Sequence, residues 1–166
     1  MEKYQKMVFR TCMGFVHNKD DAEDLTQDVF LQAYKSLSNF KGEAAFSTWI
    51  YRIAVNISLN KVRKSPVKII MDQLDSFLGS DKGNKSPFSV AETESPENIL
   101  ISREHTAWLN KALDSLPENQ RTAIVLSKYD DLSQKEIAVI MNTSEGAVEA
   151  LIQRAKKNLR DKLSRK

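Results

Sequence analysis

Apolar residues recur at three- and four-residue spacing through most of this chain, and the pattern breaks down over one long stretch, between Pro66 and about Pro96. That spacing lays side chains along one stripe of an α-helix. A strand-and-turn protein needs glycine and proline at its turns, yet the 166 residues hold five glycines and four prolines, gathered mainly at the break. The expected fold is therefore all-α: two small helical domains, residues 1–65 and 98–166, on either side of a flexible linker at 66–97. The linker holds Gly79, Gly83 and Pro87 among many Ser, Asp and Lys residues. A short turn of helix is expected near Ile69–Leu78 and little else.

Composition narrows the function classes. Hydrophobic residues make up 41% of the chain, enough for packed cores, although each small domain alone would be only marginally stable. Cys12 has no second cysteine to pair with, and it reads as a small core residue of a helix in a reducing compartment. No apolar run is long enough for a bilayer and the N-terminus lacks a signal-peptide pattern, so a cytoplasmic protein without membrane insertion is expected. Neither His17 nor His105 lies in a motif, and there is no glycine-rich phosphate loop or nucleophile–histidine pair. No catalytic residue, cofactor or metal is expected. The net charge of +3 is small, but seven basic side chains (Arg154, Lys156, Lys157, Arg160, Lys162, Arg165, Lys166) crowd the final sixteen residues against one acid, Asp161. Such a helix end suits phosphates, since each phosphate neutralised releases counterions; a solvated charged helix would carry the same pattern.

In the N-terminal domain, Tyr4, Met7, Val8, Thr11, Cys12 and Phe15 mark a first helix over residues 4–17. Asp20 and Glu23 have capping-box spacing for a second helix, whose core stripe is Ala22, Leu25, Val29, Ala33 and Leu37. A loop at 38–45 leads to a third helix from Phe46 to Lys64, with Ile50, Ile53, Ala54 and Ile57 inward. On the outer face of the second helix Asp21, Asp24 and Asp28 line up beside Leu31. DNA would repel that face, while a basic protein surface would attract it; simple solvation is the alternative. On the third helix Trp49, Arg52, Asn56, Asn60 and Arg63 share another face. An aromatic ring among amides and cations is how a protein holds unstacked bases, and Arg63 and Lys64 suit phosphate. Trp49 fits equally well as a partly buried packing residue.

The C-terminal domain reads as helices over about 96–114, 117–128, 133–141 and 144–163, with Pro117 in the first turn of its helix. Ser133 and Glu136 form a capping box, Met141–Thr143 a tight turn, and Thr143 or Ser144 the next cap. Small Ala138 allows a close crossing. Val148, Leu151, Ile152, Ala155, Leu159 and Leu163 form the buried stripe of the last helix. The opposite face presents Gly146, Glu149, Gln153, Arg154, Lys157 and Arg160. This is a helix-turn-helix, whose second helix enters the major groove, where Gln and Arg read base edges and Lys and Arg meet phosphates. Gly146 would spare bulk at the DNA backbone.

Three segments resemble one family in order. Asp21–Ala33 and Phe40–Asn56 are similar to region two of extracytoplasmic-function sigma factors of the sigma-70 family, and Leu113–Arg121 together with Ala147–Leu159 to their region four. The resemblance implies a promoter-specificity subunit of bacterial RNA polymerase. Asp21, Asp24, Gln27, Asp28 and Leu31 would grip the clamp helices of the largest subunit of core RNA polymerase. The loop Ser38–Ala45, with Lys41, and the face of Trp49, Arg52, Asn56, Asn60, Arg63 and Lys64 would open and read the minus-ten element of promoter DNA. Ser144, Gly146, Glu149, Gln153, Arg154, Lys157 and Arg160 would read the minus-thirty-five duplex. The flap of the polymerase and an anti-sigma factor are the further partners implied. Two departures stand out: the first helix starts almost at Met1 and reads as short, its leading turn missing, and Ala147 and Glu149 replace the Thr and basic residue frequent in relatives. A helix-turn-helix regulator acting on DNA without polymerase is the competing reading.

Overall fold

A computed structural model describes residues 2–63 and 96–165, leaving aside the side chains of 96–102. Every regular element among the described residues is a helix, and the chain divides into two compact units. The expected linker up to residue 95, the short helical turn within it, and Lys64 lie outside the described residues.

In the N-terminal unit α1 (Glu2–Val16), α2 (Lys19–Ser36) and α3 (Phe46–Arg63) pack against one another pairwise. The turn between α1 and α2 is made by His17 in the left-handed region (φ 56°), its N–H donating to the Met13 carbonyl at 2.9 Å. Asn18 then caps α2, its side chain accepting the Asp21 N–H at 3.1 Å. The helix thus starts earlier than an Asp20–Glu23 capping box would place it. Asn is as good a cap as Asp, and with the cap at Asn18, Asp20 and Asp21 fall in the first turn, where the helix dipole favours negative charge.

Val8, Cys12, Phe15, Ala22, Leu25, Val29, Ile50 and Ala54 are all buried at the centre of this unit. Two expectations about the core are corrected. Leu37 is 51% exposed, because α2 ends at Ser36 and the chain tightens into a 3₁₀ turn (Leu37–Asn39) that carries Leu37 off the stripe. On α3, Ile53 and Ile57 are only half-buried, and the buried face is Ile50, Tyr51, Ala54, Val55 and Ser58. The polar member of that face is satisfied: the Ser58 hydroxyl donates to Cys12 Sγ at 3.6 Å, tying α3 to α1.

The C-terminal unit holds α4 (Pro96–Asp114), α5 (Glu118–Tyr129), α6 (Gln134–Met141) and α7 (Glu145–Ser164). Here α4, α5 and α6 all pack on α7. Residues Arg121 to Leu126 are buried without interruption, polar Arg121 and Thr122 included, so this stretch of α5 is covered on every side within the unit. Pro117 is the N-cap residue of α5 and stands just outside the helix, its carbonyl accepting the Arg121 N–H at 2.9 Å. Arg121 itself is 3% exposed, with its guanidinium 2.6 Å from the Asp114 carboxylate. Burial lowers its pKa and the Asp114 charge opposes that shift. No helix among the described residues is long and apolar enough to cross a membrane.

Candidate nucleic-acid and protein interfaces

The turn between α6 and α7 is built from local bonds that the sequence encodes residue by residue. Ser133 accepts the Glu136 N–H at 3.2 Å, and the Glu136 carboxylate accepts the Ser133 N–H at 2.8 Å, completing the capping box. At the far end of α6 Asn142 adopts the left-handed conformation (φ 55°), which Asn tolerates better than most residues. The Thr143 N–H then reaches back to the Ala138 carbonyl at 2.9 Å. Of the two possible caps for α7 the structure uses Ser144, whose hydroxyl accepts the Ala147 N–H at 3.1 Å.

Val148, Ile152 and Ala155 are buried along the inner stripe of α7. Leu151 and Leu159 are half-buried, and Leu163 is 38% exposed, a correction to the expected stripe. The outer face is as expected: Ser144, Gly146, Glu149, Gln153, Arg154, Lys157 and Arg160 are all exposed. A Cβ added at Gly146 would meet nothing within 4 Å. The fold makes no demand for glycine there, so the bare backbone is open to a ligand. The arrangement offers an exposed helix with hydrogen-bonding groups early and cations late, the chemistry of major-groove reading followed by phosphate contact.

On α2 the exposed row is Asp24, Gln27, Asp28 and Leu31, with Asp21 half-buried at the helix start. The row continues beyond Leu31, 58% exposed, into Tyr34, which sequence reasoning left out and which is 80% exposed, and Leu37, which it placed in the core and which is 51% exposed. Tyr34 follows Leu31 by three residues, a spacing that places both on one face. The acidic half of α2 therefore runs into an exposed apolar half.

On α3 Asn56, Asn60 and Arg63 are exposed and Arg52 half-buried, while the Arg63 guanidinium donates to the Asn60 side-chain oxygen at 3.1 Å. Trp49 belongs to an aromatic group: its ring lies 5.0 Å from Phe40 and 5.5 Å from Phe46, Phe40 and Phe46 are 5.8 Å apart, and Tyr4 stands edge-on to Phe46 at 5.2 Å. The ring thus packs, and it is also half-exposed. Phe40 anchors the start of the loop that carries exposed Lys41. That loop turns at Gly42, with φ +71° and open space around it.

Residues 1–65 match the family model described as Sigma-70 region 2, and residues 106–159 that of Sigma-70, region 4. The chain belongs to the sigma-70 family. It is a sigma factor of the extracytoplasmic-function (ECF) type, a subunit that binds core RNA polymerase and directs promoter-specific initiation, and not an enzyme. The RNA polymerase sigma-H factor of Pseudomonas aeruginosa is 34% identical over 158 residues, covering 93% of this chain and 79% of that protein. The ECF RNA polymerase sigma-E factor of Escherichia coli is 34% identical over 161 residues, covering 97% of this chain and 83% of that protein. Among solved structures, the sigma factor RpoE in complex with the anti-sigma factor NepR from Bartonella quintana superposes with a TM-score of 0.62 at 20% identity, covering 97% of this chain and 92% of that one. The fold of this sigma factor is shared at that distance. The reading as a regulator that works without polymerase is not supported.

Proposed function

We propose a division of labour among three surfaces of this sigma factor. The exposed row of α2, with Asp21, Asp24, Gln27, Asp28 and Leu31, docks on the clamp helices of the largest polymerase subunit, and the apolar extension at Tyr34 adds to it. The loop with Lys41 and the face of Trp49, Arg52, Asn56, Asn60, Arg63 and Lys64 opens and holds the minus-ten element. The outer face of α7, from Ser144 and Gly146 through Glu149, Gln153, Arg154, Lys157 and Arg160, reads the minus-thirty-five duplex. Residues 1–65 and 98–166 are the working domains, joined by 66–97. The C-terminal domain also meets the polymerase flap, an anti-sigma factor covers the polymerase-facing surfaces, and the protein acts in the cytoplasm.

The observation that carries this reading is the clean partition of α7: every fully buried residue lies on one side, and all six residues from Gly146 to Arg160 expected to read the duplex lie exposed on the other. Runoff transcription with core polymerase tests it. Promoter templates selected by the holoenzyme from a random library should be initiated specifically, and Gln153→Ala and Arg154→Ala should lose initiation while keeping core binding. Initiation unaffected by both changes would remove α7 from the reading.

A further inference from the structure

The N-terminal half of α7 is held by apolar burial, through Val148, Ile152 and Ala155. Further along that grip weakens, since Leu159 is half-buried and Leu163 is 38% exposed. Two polar ties take over in its place. The Asn158 side-chain N–H donates to Gln120 Oε1 of α5 at 2.7 Å. The Lys162 ammonium donates to Ser115 Oγ at 2.5 Å and lies 3.5 Å from the Ser115 carbonyl, in the turn between α4 and α5. Asn158 and Lys162 are four residues apart and so stand on the same flank of α7, between its buried stripe and its outer face. Bonds on one flank resist rotation of a helix about its own axis, which burial of an apolar stripe, being non-directional, does less well.

We infer that Gln120–Asn158 and Ser115–Lys162 are positioning pairs that fix the roll of α7 for duplex reading, and that Lys162 is not a phosphate contact. The inference rests on α7 being the duplex reader. Without the ties the helix stays packed but spends less time in the roll that matches the groove, and apparent affinity falls with the competent fraction. A partly exposed hydrogen bond sets the size of that loss, on the order of threefold to tenfold for each pair. Lys162 is half-buried and occupied by Ser115, whereas Lys157 and Arg160 are exposed on the outer face.

The test is holoenzyme binding to a duplex selected by the wild-type holoenzyme from a random library, measured over a range of salt concentrations. Asn158→Ala and Lys162→Ala should each weaken binding by the same factor at every salt concentration, leaving the slope of log affinity against log salt unchanged. Lys157→Ala should lower that slope by about one, the signature of a lost phosphate contact. Gln120→Ala should add no further loss to Asn158→Ala, and exchanging the pair, Gln120→Asn with Asn158→Gln, should restore affinity. A reduced slope for Lys162→Ala, unaltered affinity in the single variants, or failure of the exchanged pair to restore binding would overturn the inference. If Lys157→Ala, Gln153→Ala and Arg154→Ala were also silent, the reading of α7 as the duplex reader would fail with it.

Discussion

Gln153 and Arg154 carry side chains able to make two parallel hydrogen bonds to a purine edge, and neither is committed to the core. Replacing either with alanine should cost about 1–3 kcal/mol of duplex affinity and relax preference at the base it meets, with thermal unfolding unchanged; a binding titration against single-base variants of the site reads this directly. Tyr129 presents a different kind of residue-level dependence. Burial raises its phenol above the ordinary 10.0, the Asp114 carboxylate raises it further, and Arg121 opposes. The folded protein therefore keeps this proton at a pH where the unfolded chain releases it, so the stability it contributes is whole below 10.0 and falls as pH rises beyond. Denaturant unfolding followed above that pH should show a decline in wild type that Tyr129→Phe flattens. Caps and turn residues such as Ser133, Glu136 and Ser144 were legible because each acts on backbone groups three residues away. Arg121 was not, because a buried arginine declares itself only once Asp114, seven residues off, is folded against it.

At the scale of a helix, α2 combines opposite surface chemistries along one row, acid first and exposed Leu31 and Tyr34 after. Reversing charge at Asp24 and Asp28 should slow association with core polymerase and make it less salt-dependent, because exposed charges act chiefly on encounter. Leu31→Ala with Tyr34→Ala should instead speed dissociation; both sets should melt like wild type, and surface-immobilised core with flowing sigma factor separates the two rates. The second helix was readable in outline since its stripe survives as far as Ala33. Its end was not: periodicity alone carried the core on to Leu37, whereas the 3₁₀ turn exposes that residue. On α3 the sequence left Trp49 open between stacking and packing. The rings of Phe40 and Phe46 at its side make packing part of its role, because Phe40 tethers the loop with Gly42 and Lys41. Trp49→Ala should lower stability by about 1–3 kcal/mol and loosen that loop. Trp49→Phe should recover the stability, and permanganate footprinting of the two variants would then report how much strand opening depends on the indole itself.

For the whole molecule, the all-α, two-unit architecture could be read from the spacing of apolar residues, since each unit is assembled from helices that pack their apolar stripes together within it. The proposed partition of work starts from charge that is visible in the sequence: an acidic face suits a basic protein surface, and a basic helix end suits phosphate. Such a protein should depend on its polymerase: alone it should bind promoter duplex weakly, while with core polymerase it should bind and initiate specifically, a contrast that footprinting with and without core polymerase would display. Tight, specific binding by the free chain would contradict that dependence. The open space at Gly146 and the exposure of Glu149, Gln153, Arg154, Lys157 and Arg160, the α7 positions proposed to read the duplex, bear on how such a factor changes over generations. Because the scaffold asks nothing of those positions, they are free to drift without unfolding the protein. With α7 as the proposed duplex reader, a duplicated copy would acquire a new set of target genes through a few substitutions on one helix face, while its helices, its caps and its hold on the polymerase are inherited intact.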